Sequence, residues 1–224
     1  MLSTGLGIKP GYVDVVAALF AAGAKITPWA RNALHGEDLK QDPALIRLFF
    51  ENGLDPNATQ STDREINPDA KESRGEPLLR FMADPACARE FLSRGADPNA
   101  SGPSNETPLY SIITSRNIEV AEVLLEHGAT LEPNFLFDVM GYYWRGQDRE
   151  LKRERMLKYL LEKGVDPNKA VSEKWGSPLH HAAFYGNENM VRMLADAGAD
   201  LTARAVGGRH PGCTPEEVAM SRVD

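Results

Sequence analysis

Residues whose types could do chemistry gather near the C-terminal end of this 224-residue chain: His180 and His181 stand side by side in SPLHHAAFYG, and Cys213 follows His210 in RHPGC. Paired imidazoles are the material of a metal site or an acid and base, and a thiol near an imidazole is the material of nucleophilic catalysis. The spacing argues against both. Metal-binding histidines on a helix stand three or four apart so that they share a face, whereas adjacent positions diverge. Pro211 and Gly212 between His210 and Cys213 spell a turn, with no oxyanion loop or orienting acid beside it. The Cys and His spacings fit no zinc signature, and there is no phosphate-cradling glycine loop. No catalytic residue, metal or cofactor is expected.

Something else must explain why residue types are so regularly placed around these histidines. The phrases AAGAKI, ENGLDPN, SRGADPN, EHGATL, EKGVDPN and DAGADL recur, each after an apolar-periodic stretch. Their glycines, Gly23, Gly53, Gly95, Gly128, Gly164 and Gly198, are separated by 30, 42, 33, 36 and 34 residues. A period near 33 with local insertions is the mark of a repeat architecture. Glycine just past a helix supplies a left-handed stop, and the Asp-Pro-Asn that follows at 55–57, 97–99 and 166–168 is turn chemistry. Unit starts are marked by Thr27-Pro28, Thr107-Pro108, Ser177-Pro178 and Thr214-Pro215, each a hydroxyl N-cap before a proline at the first helical position. Glu76-Pro77 and Glu132-Pro133 keep the proline and lose the hydroxyl.

Composition narrows the function classes. A net charge of -7 with pI near 5.3 disfavours a sequence-independent nucleic-acid binder or a membrane-surface protein. Cys87 and Cys213, far apart in unlike contexts, suggest no disulfide framework and favour a reducing compartment. No apolar run is long enough to cross a bilayer or to serve as a secretory leader.

The repeat resembles the ankyrin family. Residues 177–200, SPLHHAAFYGNENMVRMLADAGAD, follow that family's pattern nearly throughout, and 107–129, TPLYSIITSRNIEVAEVLLEHGA, follow its second half. The resemblance implies an all-α fold: a solenoid of stacked helix-turn-helix units with hairpin turns, five full and two partial repeats in a single domain over 1–224. A partial repeat over 1–26 precedes repeats at about 27–57, 76–100, 106–131, 132–169 and 177–203, and a partial cap follows at 214–224. A polar loop at 57–76 and an insertion at 141–151 interrupt the period. In this frame Leu179, Ala182, Ala183, Val191 and Leu194 are core. His180 would bond backbone of adjoining turns, and His127 would sit at a helix C-terminus that favours it. The charged run DRELKRER at 148–155 reads as a solvated helix face.

The resemblance also implies where function sits. Ankyrin partners are usually gripped by turn tips and by exposed positions near the end of each first helix, which fall on Leu34 and His35, Thr114 and Ser115, and Phe184 and Tyr185. Phe184 and Tyr185 have company in Trp175 and in Tyr142, Tyr143 and Trp144 of the insertion, and Trp and Tyr supply interface anchors. Arg116, Arg145 and Lys174 would favour an acidic partner. The leading expectation is a monomeric, non-catalytic scaffold in the cytoplasm or nucleus that recognises a protein or peptide through this groove. Two alternatives remain open. One is an enzyme or small-molecule binder using the aromatic cleft with His181, Asp138 or Tyr185 as acid/base groups; the other is the recognition arm of a larger multidomain protein.

Overall fold

The computed structural model describes residues 12–27, 30, 34, 41–60, 75–141, 149–169, 172–185 and 187–221. Among them there is no strand, only isolated bridges between Thr59 and Pro77 and between Ser172 and Gly176. The helices are α1 (Tyr12–Ala21), α2 (Pro43–Glu51), α3 (Pro85–Leu92), α4 (Pro108–Ser115), α5 (Ile118–Glu126), α6 (Phe135–Met140), α7 (Arg149–Glu162), α8 (Pro178–Tyr185), α9 (Glu188–Asp196) and α10 (Pro215–Met220). A 3-10 turn spans Leu78–Phe81.

Two compact units hold these elements. One comprises the described residues up to Ile112 together with Glu119–Thr130, and in it α1 packs on α2 and α2 on α3. The other comprises Ile113–Ile118 and the described residues from Leu131 onward. There α6, α8 and α10 form an inner row, α7 and α9 an outer row, and each outer helix leans on its own inner partner.

Local chemistry sets the helix ends. The hydroxyl cap expected at Thr214 is one half of a full capping box: the Glu217 amide donates to Thr214 Oγ1 and the Thr214 amide to the Glu217 carboxylate. The Tyr110 amide donates to Thr107 Oγ1 at 3.3 Å. Two starts that sequence reading passed over use Asp-Pro instead: Asp42 caps α2 through Ala44 N–H, and Asp84 caps α3 through the Ala86 and Cys87 amides. All six stop glycines lie at φ between 86 and 91°.

Two expected helix starts are corrected. The start at Glu76-Pro77 yields only the 3-10 turn, because Pro85 opens the next helix and bars α geometry just before it, leaving too few residues for an inner helix. The start at Glu132-Pro133 is displaced to Phe135, with Asn134 making no side-chain cap. The core is apolar and periodic: Val120, Val123 and Leu124 of α5, Leu157 and Leu160 of α7, and Leu179 and Leu194 of α8 and α9 are all buried. Removing one such leucine side chain is expected to cost about 2–5 kcal/mol.

Candidate partner-binding site

The C-terminal unit brings four sequence-nominated residues together. Phe184 and Tyr185 end α8, and Trp175 rides the turn closed by the Ser172–Gly176 bridge, its own N–H donating to Ser172 O at 3.2 Å. Trp175 lies 5.3 Å from Phe184 and 4.7 Å from Tyr185 between ring centroids, and Phe184 and Tyr185 meet edge to face at 4.4 Å. All three are half-buried, so part of each ring packs inward and part faces solvent. Lys174, the fourth, sets its ammonium 5.4 Å from the centre of the Trp175 ring.

The loop after α9 supplies a fifth residue, outside the sequence-nominated set. Arg209 sets its guanidinium 5.1 Å from the Trp175 ring centre and donates from Nη1 to Tyr185 Oη at 3.4 Å. Its backbone N–H bonds Lys174 O, which the chain reaches only because residue 208 is glycine: a Cβ there would stand 2.1 Å from that same carbonyl, at φ +80°. His210 adds its ring 5.4 Å from Phe184. Lys174 and Arg209 are both exposed, and neither meets a carboxylate among the described residues.

Beneath these rings lies His181, 5% exposed, with Phe137, Trp175 and Tyr185 at 5.9, 5.2 and 5.4 Å. Its Nδ1 is buried and has no hydrogen-bond partner among the described residues. Burial, reinforced by the charges of Arg153 and Lys174, pushes its pKa down to about 4, so the ring is neutral at pH 7. A neutral ring packed edge-on among aromatics is a packing element and a poor general acid at that pH.

His180 divides its two nitrogens between repeats. Its Nδ1 accepts from the Ser177 amide at 3.2 Å, which leaves Nε2–H to donate to the Cys213 carbonyl at 3.0 Å. His127 Nδ1 lies 2.8 Å from the Val123 carbonyl at the end of α5. The Cys213 amide donates to His210 O at 3.2 Å, which is the turn the sequence spelled. No group of three or more His, Cys, Asp or Glu among the described residues could hold a metal ion.

Other nominated residues are dispersed. Arg116 follows α4 at φ 61° and donates from Nη1 to Thr114 O. Leu34 is buried, so it offers no contact surface. His35, Tyr142, Tyr143, Trp144 and Arg145 lie outside the described residues. The run at 148–155 is not wholly a solvated face, because Arg153 is 3% exposed. Its guanidinium donates to the carbonyls of Val139 and Met140, closing α6. A long stem lets arginine cross apolar surface to reach carbonyls at a helix C-terminus.

With this geometry in view, comparison with known proteins places the fold. Residues 149–195 match the family model for ankyrin repeats. The crystal structure of the human ASB11 ankyrin repeat domain superposes with a TM-score of 0.64 at 19% identity, covering 93% of this chain and 87% of that one. The ankyrin repeat domain of Bcl-3, described as a unique member of the IkappaB protein family, gives 0.65 at 22% identity, covering 95% and 90%. No curated protein matches the sequence. The chain has the ankyrin-repeat fold, and within it residues 149–195 match the family's sequence pattern. Ankyrin repeats in general mediate protein–protein interaction. No described helix is long and apolar enough to cross a membrane.

Proposed function

We propose that this chain is a non-catalytic interaction module that grips an acidic segment of a partner protein at Trp175, Phe184, Tyr185, Lys174 and Arg209. The observation that carries this reading is the Trp175 ring, which has two exposed cations on it and no carboxylate matched to either among the described residues. Cations held over an aromatic ring are pre-positioned, so a carboxylate docking there orders little that is not already ordered. Charge of this kind acts mainly on encounter rate and on choice of partner, while the rings supply the buried area. The sequence-nominated Tyr142, Tyr143, Trp144, Arg116 and His35 belong to the proposal as further partner contacts. Two unpaired cysteines agree with a reducing compartment, the cytoplasm or nucleus.

The test is affinity capture from native lysate with quantitative mass spectrometry, comparing wild type with Lys174→Glu/Arg209→Glu and with a distant control, Lys25→Glu. Both site cations are exposed, so the fold should persist, as a thermal melt would check. Partners with acidic segments that are lost from the double variant and retained by the control support the reading. Identical capture by all three forms overturns it.

A further inference from the structure

We infer that the acidic group seated at Lys174 and Arg209 is a phosphorylated side chain of the partner segment. The inference rests on the reading above, that this cluster grips an acidic segment, and adds which acid it takes.

Both cations stand on backbone that is tied down. Lys174 belongs to a turn in which Ser172 N–H donates to Gly176 O at 2.8 Å, and Gly176 and Trp175 N–H return to Ser172 O at 2.7 and 3.2 Å. Ser172 Oγ accepts from the Lys174 amide at 3.2 Å. Arg209 belongs to a hairpin closed at its base by Ala205 N–H to Cys213 O at 3.0 Å and Gly212 N–H to Ala205 O at 2.8 Å. The same Cys213 carbonyl takes the His180 bond, which fixes the hairpin to α8. Turn and hairpin join where the Arg209 amide meets Lys174 O at 3.3 Å. The ammonium and the guanidinium, both set on the Trp175 ring, are thereby held as a pair, and little is left to order when an anion arrives.

The surplus of acid in the chain makes that pair unusual. Asp and Glu number 32 against 25 Lys and Arg, so carboxylates are in ample supply. Arg47 holds Glu90 at 2.6 Å, Arg80 holds Glu76 and Glu106 at 2.6 and 2.5 Å, and Arg192 holds Glu188 at 2.5 Å. Lys174 and Arg209 hold none among the described residues, and the exposed Glu173, next to Lys174 in sequence, bridges to neither.

Charge decides which acid the pair fits. A partner's carboxylate brings one charge on two oxygens; seated bidentate on the Arg209 fork, it leaves the Lys174 ammonium unanswered. A phosphate monoester brings about −1.5 to −2 charges at pH 7 on three acceptor oxygens, enough to answer both cations at once. The planar guanidinium supplies paired donors in fixed directions and the ammonium a compact point charge, so the two are complementary on one phosphoryl group. The half-buried rings of Trp175, Phe184 and Tyr185 border the pair and offer apolar surface to the residues that flank the modified one.

Three random peptide libraries test this, identical except that the central residue is phosphoserine, glutamate or serine. Each is selected on the immobilised chain, and the enriched peptides are titrated by fluorescence anisotropy. Phosphopeptides should bind about tenfold tighter than their glutamate twins, and the serine twins should not bind. Lys174→Gln and Arg209→Gln alter exposed side chains, so melting should be unchanged, and each should bring the phosphopeptide down to the level of its glutamate twin. Glutamate peptides that bind as tightly as phosphopeptides and still need both cations overturn this inference and leave the acidic-segment reading standing. If no anionic peptide binds, both fall. A phosphopeptide whose affinity neither substitution lowers also overturns the inference, as does inorganic phosphate that displaces the peptide at equal concentration, since the pair would then serve a small free anion.

Discussion

The Asn168 side chain donates to the Gly198 carbonyl at 2.8 Å, while its Oδ1 accepts from the Asp200 amide at 2.9 Å, so one amide group spans two successive turns. Asn99 makes the same pair of bonds to Gly128 O and Thr130 N–H, and Asn57 to Gly95 O and Asp97 N–H. The preceding aspartates work locally, Asp166 accepting from the Asn168 amide at 2.8 Å. Asn168→Ala removes both bonds from groups that water can reach and should destabilise the protein by about 0.5–1.5 kcal/mol, read as a lower urea midpoint. Asn168→Asp keeps the acceptor and loses the donor, and should fall between. Equal stability of all three would mean that the clamp carries no net energy.

How much of this was legible beforehand follows from the range of each interaction. The stop glycines and the hydroxyl caps at Thr27, Thr107 and Thr214 are encoded within one repeat, and they read correctly because each residue's job is fixed by its own period; the His180 bond, which reaches 33 residues on, came from the family resemblance. The Asn clamp was read only as local turn chemistry, since its second half reaches a residue 30 positions on. Arg209 escaped notice for a similar reason: nothing in GGR announces that Gly208 lets the chain press on Lys174. Arg153 read as surface because a charged run looks solvated until α6 is seen to end beneath it. The lost inner helix at Glu76 turns on Asp84-Pro85, a helix start that is no part of the repeat pattern.

Acid should weaken the fold through His181. Its folded pKa of about 4 lies below the ordinary 6.5, so between those values the unfolded chain binds more protons. The stability due to the neutral buried ring is therefore present in full above about pH 6.5 and is lost as pH falls toward 4. The loss is on the order of 3 kcal/mol. Urea melts across this window should show the decline, and His181→Phe, which leaves an aromatic ring that cannot be protonated, should flatten it. A decline of equal size in His181→Phe would assign the acid sensitivity elsewhere.

The two cysteines should differ sharply as nucleophiles. Burial in α3, with the carboxylates of Asp84 and Asp42 nearby, pushes the Cys87 thiol up to about 12, and no part of it is exposed. Cys213 is partly exposed on the turn before α10. Treatment of the native protein with a thiol reagent at pH 8 should label Cys213 alone, with Cys87 reacting only on unfolding. Rapid native labelling of Cys87 would mean that α3 opens readily, since exchange of a buried thiol tracks local unfolding.

Arg153 ties α6 and α7 to the aromatic cluster. Its guanidinium holds the carbonyls at the end of α6, and its charge, after burial, is the next cause keeping the His181 ring unprotonated. Arg153→Met preserves much of the stem and removes both the donors and the charge. Two consequences should appear together: a loss of about 1–3 kcal/mol from the stranded carbonyls, and an upward move of the His181 pKa toward its ordinary value, seen in an imidazole NMR titration. The upward move also shifts the acid-sensitive window higher, so the variant's additional loss at pH 5 should be smaller than that of the wild type, relative to each at pH 7. If the variant loses stability while His181 titrates unchanged, burial alone governs that ring and the charge of Arg153 plays no part in it.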